Sequence, residues 1–377
     1  MSMVPVLRTL ILKFCLSLCW ICLSACAAAP TPSVEGEGGD ETAVTPSAPL
    51  AALEPLQRAE GPLWPALDIN VAVFEVGSEA AETAAYMAVR TLESRLLPGL
   101  LREVLVRSDQ WGVVRVVPTA SALAPVNIES MIVVSDGRDL IIDVRVSDVT
   151  GEEWFRLRLA YRQDEPLDDL SALSQIFNVV SNRMGEFWLE RTATERSRLI
   201  STAGMVYARE LAPDVFTDYL DEASAVLTLK RVPASDDPML ARVQRIKNQE
   251  YLFCDAMDEQ LGLLLERAGP TYDLWREAAI TQANWLDQYE LMAASRSSGP
   301  EDGEFSRMQA EYSAYRSYRI QEQALLELAE ALESESQPVV LTMEDAVITL
   351  EGTLEAQYAT WRELLREIFL LEQGALL

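Results

Sequence analysis

Adjacent carboxylates are the first groups in this chain that could do chemistry: Glu152-Glu153, Asp168-Asp169 and Asp236-Asp237. Two facing carboxyl groups, one of them protonated, can cleave a glycosidic bond. The chain has 59 acidic residues, however, so neighbouring pairs arise by chance. Asp168-Asp169 fits a helix start better, and Asp236-Asp237 a turn before Pro238. Histidine is missing altogether. That removes serine–histidine and cysteine–histidine catalysis and the commonest zinc ligand. Asp136-Gly137-Arg138-Asp139 lacks the alternating ligands and closing glutamate of a calcium loop, and reads as a hairpin turn. Gly36-Glu37-Gly38-Gly39 precedes no Lys-Ser and no helix, so it is not a phosphate loop. These residues point away from an enzyme and imply no metal and no cofactor.

The aromatic residues of the C-terminal half are the second group with chemical promise. Tyr272, Trp275, Trp285 and Tyr289 fall on one predicted helix, Tyr312, Tyr315 and Tyr318 on the next, and Tyr358 and Trp361 on the last. Tyr and Trp suit protein interfaces and also stack on sugars. Their three- and four-residue spacing is core spacing, which favours burial over an exposed recognition face. Trp275, Trp285, Tyr289, Tyr315 and Trp361 are the candidate interaction residues. Cys254, in Tyr251-Leu252-Phe253-Cys254, is expected to be a buried, inert thiol.

Positioning these groups requires an α+β fold: a small α/β domain with a mixed sheet, followed by a mostly α-helical bundle. Residues 63–162 form the first part. Ile69–Val76 is a strand. Apolar residues then recur at helical spacing from Ala80 to Arg107, with Pro98-Gly99 expected to kink or split the helix. Strands follow at Trp111–Val117, Asn127–Val134, Leu140–Val146 and Glu153–Tyr161, the last three joined by turns at Ser135-Asp136-Gly137 and Asp148-Val149-Thr150-Gly151. Residues 163–377 read as helical. Asp168 or Asp169 caps a helix carrying Leu170, Leu173, Phe177, Val180, Met184 and Phe187 on one face. Ala193–Leu211 and a short helix after Pro213 follow, then a break at Val232–Pro238. Four long helices are predicted at Met239–Arg267, Thr271–Ala294, Glu304–Ser334 and Met343–Gln373. Gly269-Pro270, the 297–303 loop and Gln337-Pro338 separate them, and Thr342…Asp345 resembles a capping box.

The N-terminus follows a different logic. Arg8 and Lys13 precede an apolar run, Phe14–Leu23, of 10 residues, and no acid occurs before Glu35. Such a run is too short to span a ~30 Å hydrocarbon core but suits a secretion signal. It closes on Leu23-Ser24-Ala25-Cys26, which resembles the lipobox of bacterial lipoproteins. The resemblance implies a signal peptide over 1–25, cleavage between Ala25 and Cys26, and lipidation of Cys26. Acyl chains at ~0.8 kcal/mol per buried CH₂ would anchor the chain to a membrane. Ala27 stands where inner-membrane lipoproteins carry aspartate, so the resemblance implies the outer membrane, periplasmic face. Cys15, Cys19 and Cys22 would leave with the signal. Residues 26–62 are rich in Ala, Pro, Gly and acid and read as a flexible tether, with a reach of about 30–35 Å. The formal net charge of −28 gives no electrostatic reason to bind nucleic acid.

Within the first part, the residues Ile69–Val76, Val113–Pro118, Ser135–Leu140 and Val144–Trp154 resemble the small α/β domain of envelope lipoproteins. That domain recurs in activators of penicillin-binding proteins, the curli-secretion lipoprotein and the TolB amino-terminal domain. The resemblance implies protein binding without chemistry. The expectation is a membrane-anchored, non-catalytic binding or scaffold component of a cell-envelope assembly, with an envelope protein as partner. The alternatives are a carboxylate-based envelope hydrolase and a glycan or small-ligand binder using the Trp/Tyr residues.

Overall fold

The computed structural model describes residues 53–77, 84–163, 170–222, 226–234, 236–295, 339–343, 346–350 and 352–372, together with helical positions between 308 and 327. The fold is α+β, with a mixed sheet and a long helical region. Strands β1 (Ile69–Ala72), β3 (Val114–Val117), β4 (Val126–Ser135), β5 (Asp139–Asp148) and β6 (Glu153–Arg162) lie in the order β3-β1-β4-β5-β6. The short β2 (Glu75–Val76) pairs beside β1 on β4. β1 runs parallel to both β3 and β4, and all four of its residues are buried, as befits a central strand. β4, β5 and β6 form an antiparallel meander.

Alternation sets the two faces of that meander. Leu140, Ile142, Val144 and Val146 join the core with Leu92, Leu96 and Leu100 of α1 (Ala84–Arg107). On the opposite face Arg158 forks onto Asp143, Arg162 forks onto Asp139, and Arg145 meets Glu153. Trp154 breaks the alternation. Val146 pairs with Phe155 and Ser147 with Glu153, so a bulge leaves Trp154 unpaired. Its ring stacks on Phe187, 4.8 Å between centroids, and its Nε1 donates to Asp148.

After the short α2 (Leu170–Leu173), α3 (Asn178–Glu190) also binds the incoming chain. Asn178 donates to the Glu54 carbonyl, and Asn182 both donates to the Pro55 carbonyl and accepts from the Gln57 N–H. Gln110 holds the Gln57 carbonyl at 2.7 Å. Residues 53–62, read from composition as the end of the tether, are therefore docked. Polar side chains four residues apart on one helix satisfy an extended backbone, which a compositional reading does not register.

The largest departure lies further on. α4 (Ala193–Leu211) begins at a capping box of Thr192 and Glu195, and the short α5 (Pro213–Phe216) and the strand pair β7 (Leu220–Asp221) and β8 (Thr228–Leu229) follow. Then a single helix, α6, spans Pro238–Ser295, 58 residues and about 87 Å. Asp237 caps it by accepting from the Met239 N–H at 2.9 Å, with Pro238 at the first helical position. Gly269-Pro270 was expected to end a helix; instead Pro270 sits inside it. Buried Ala268 and Tyr272 pin the chain on both sides of the proline, so packing overrides the missing hydrogen bond. α1 is likewise unbroken at Pro98-Gly99. Gly99 is there for a close approach, since a Cβ would stand 2.7 Å from Leu265 of α6.

The predicted helix from Met343 is corrected too. Val339–Met343 and Ala346–Leu350 pair as an antiparallel hairpin, β9–β10. Its Val, Ile and Thr content suits strands, and Thr342 lies within one, so it is not a helix cap; Asp345 falls outside the described residues. The last helix, α7 (Leu354–Glu372), starts instead after Gly352 at φ +102°, with the Thr353 hydroxyl accepting from the Ala356 N–H.

Candidate functional site

α6 is the element around which the polar groups gather. It passes α1 in the opposite direction, so Asp258 meets Arg102 at 3.2 Å and, further along, Tyr272 meets Glu93 at 2.5 Å. Between α4, α6 and α7 it forms the wall of an open groove of about 690 Å³. Glu250 lies buried at its floor. Tyr207 of α4 donates to one carboxylate oxygen at 2.8 Å, and Tyr358 of α7 donates to the other at 2.7 Å. Arg362 stands 3.3 Å from the second oxygen and reaches Glu210 at 2.7 Å. Burial, with the Glu250 charge second, raises the Tyr207 and Tyr358 hydroxyls well above the usual phenol range, so both remain donors. Three helices thus converge on one carboxylate. All of its described contacts tie helices together, as a clamp does.

A second cluster gathers around Glu93 of α1. Glu93 is fully buried and accepts from Ser135 at 2.6 Å and from Tyr272. Burial raises its pKa, opposed by those hydrogen bonds and by Arg276 and Arg90. Arg276 donates to the Tyr272 hydroxyl and to the Gln163 side chain. A cavity of about 390 Å³ opens beside Gln163 and Arg276, with Asp273 and Glu277 also in its lining. The β4–β5 turn closes this region. Gly137, at φ +91°, lies so close that a Cβ would stand 2.3 Å from Ala279.

Asp258 is shifted toward neutral pH, to about 6, because burial outweighs Arg102 and the hydrogen bond it accepts from the Val116 N–H. That N–H belongs to β3, an outer strand of the sheet. Asp258 therefore caps a sheet edge, the kind of exposed ladder that proteins cover to prevent unwanted pairing.

Three of the six carboxylates singled out by spacing have structural partners. Glu152 pairs with Arg191 at 2.5 Å, Glu153 with Arg145 and Arg156, and Asp237 caps α6. Asp168-Asp169 falls outside the described residues. Asp136 accepts from the N–H groups of Arg138 and Asp139, the turn its sequence implies. Among the described residues no cluster of three or more acids and cysteines could hold a metal ion, and no helix is long and apolar enough to cross a membrane. Cys254 is buried, and burial pushes its thiol pKa up. Cys26 and Ala25 fall outside the described residues.

The candidate aromatics separate into two groups. Trp275 and Trp361 have no exposed surface, so neither ring is open to a sugar or a partner. Trp285 is half-buried, and the Tyr289 side chain lies outside the described set. Tyr315 is 51% exposed, together with Tyr312 at 66%. Spacing had grouped Trp275 and Tyr315 together; the structure brings only Trp275 into a core. Sequence reasoning missed Glu93, Glu250 and Arg276, because a lone charge in a strongly charged helix looks like part of a solvated face. Comparison with protein-family models, curated proteins and solved structures finds no match.

Proposed function

We propose that this chain is an outer-membrane-anchored periplasmic lipoprotein, a non-catalytic binding or scaffold component of a cell-envelope assembly. The observation that carries this reading is Leu23-Ser24-Ala25-Cys26, following a positive end and a short apolar run. The internal use of the buried carboxylates supports it, since Glu93, Glu250 and Asp258 each bind other parts of the same fold. The α+β body preceded by an acidic, Pro-rich stretch suits a domain held off a surface by a tether.

Metabolic labelling with an alkyne fatty acid, followed by density-gradient separation of the two membranes, tests the anchor. The wild type should label, begin at Cys26 by mass spectrometry and sediment with the outer membrane. Cys26→Ala should lose the label. A mature protein that begins at another residue, or a label retained by Cys26→Ala, would defeat the reading.

A further inference from the structure

The cavity of about 390 Å³ beside Gln163 joins apolar, acidic and basic groups. Leu173 of α2, with Pro270 and Leu274 of α6, gives it an apolar side. Asp273 and Glu277 bring two carboxylates, and Arg276 brings a guanidinium. Arg276 is only 2% exposed. Its Nε and Nη2 donate to the Gln163 Oε1 at 3.3 and 3.2 Å, and its Nη1 donates to the Tyr272 hydroxyl at 3.1 Å. A guanidinium carries five N–H groups. Nη1 and Nη2 therefore each keep one N–H without an acceptor among the described residues. No carboxylate among the described residues forms an ion pair with Arg276, and Glu93 reaches it only through the Tyr272 hydroxyl.

A buried charge with no opposite charge in contact is costly. A ligand carboxylate relieves that cost, because it accepts from Nη1 and Nη2 together in the two-pronged geometry that arginine favours. A bare anion is still the wrong guest, since Asp273 and Glu277 line the same cavity and repel it. Asp273 already interacts within the chain. Glu277 is exposed and has no hydrogen bond or ion pair among the described residues, so it is open to a positive group. We propose that this cavity binds a small zwitterion, an aliphatic amino acid or a short aliphatic peptide. The ligand carboxylate sits on Arg276, its ammonium on Glu277, and its side chain against Leu173, Pro270 and Leu274. The volume lies within the roughly 300–1,000 Å³ of small-molecule sites. This site goes beyond the anchored-scaffold reading and does not depend on it.

Isothermal titration calorimetry of the purified full-length chain at neutral pH tests it. The probes are leucine, leucyl-leucine, isocaproate, which is leucine without the ammonium, and isoamylamine, which is leucine without the carboxylate. Leucine or leucyl-leucine should bind with a Kd of about 1 mM or tighter, and each singly charged compound at least about tenfold more weakly. Binding of leucine alone assigns the site to free amino acids, and binding of leucyl-leucine alone assigns it to peptides; either supports the proposal. Glu277→Gln should weaken the zwitterion about tenfold and leave isocaproate no weaker than before. Because Glu277 is exposed, that variant should melt with the wild type, which separates a lost ligand from a lost fold. The proposal is overturned if neither zwitterion reaches a Kd of about 1 mM. It is overturned equally if isocaproate or isoamylamine binds as tightly as leucine, or if Glu277→Gln leaves the affinity for the zwitterion unchanged.

Discussion

Two stretches of helix carry the same sequence signal and meet opposite surroundings. On α6, Tyr272 and Trp275 stand three residues apart and are fully buried. On the helical stretch described between 308 and 327, the outer helix, Tyr312 and Tyr315 stand three residues apart and are exposed by half or more. Periodicity names the face of a helix; it does not say what lies opposite. The difference comes from elsewhere in the chain. The face of α6 is covered because Gly99 on α1 and Gly137 in the β4–β5 turn let Leu265, Trp275 and Ala279 come close. A side chain at either glycine would push the helix away.

The comparison breaks most visibly at Trp275. Trp275→Ala should cost about 3–5 kcal/mol, the range for deleting a large buried aromatic. Urea denaturation of the purified chain measures it. A loss below about 1 kcal/mol would mean that this part of α6 is not held against the sheet, and the contrast with the outer helix would disappear.

A smaller effect separates buried from exposed polar groups. Folded Asp258 holds its proton up to about pH 6, whereas an unfolded aspartate releases it near the ordinary ~3.9. The stability this group contributes is therefore fully present below about pH 4 and is lost as pH rises through about 6. Two pH units correspond to about 3 kcal/mol at most, for a side chain that is 12% exposed. Asp258→Asn should remove that titration while keeping an oxygen to accept from Val116. Thermal melts at pH 4 and pH 8 should then differ less in the variant than in the wild type. An unchanged difference would show that Asp258 stays ionised in the fold.

Much of the sheet was legible because its signals are local. Alternation gave the faces of β5 and β6, and Asp136-Gly137 gave their neighbouring turn. The register bulge at Trp154 was not legible, since it depends on Phe187 and Trp188 waiting across the core. Pro270 misled for the same reason: a proline breaks an isolated helix, but α6 is pinned on both sides of it by distant elements. The β9–β10 hairpin escaped because its turn lacks the Gly or Asn that marks such reversals. Of the candidate site, the burial of Cys254 could be read from neighbours in sequence, whereas Asp237, read as a turn residue, caps α6. The Glu250 clamp could not, since its partners Tyr207 and Tyr358 lie 43 and 108 residues away.

The smallest expected effect is the most informative about the outer helix. Tyr315→Ala should change stability by less than about 0.5 kcal/mol, because an exposed side chain leaves no cavity when it is removed. The ring does cover its own helix backbone, and alanine is the better helix former, so these small terms oppose each other. Denaturation at matched protein concentration should place the variant within error of the wild type. A loss near that of Trp275→Ala would mean that Tyr315 packs in solution against another surface of the same chain or a second copy. A concentration-dependent loss would single out the second copy. A neutral result leaves the Tyr312–Tyr315 face without a structural duty inside the fold.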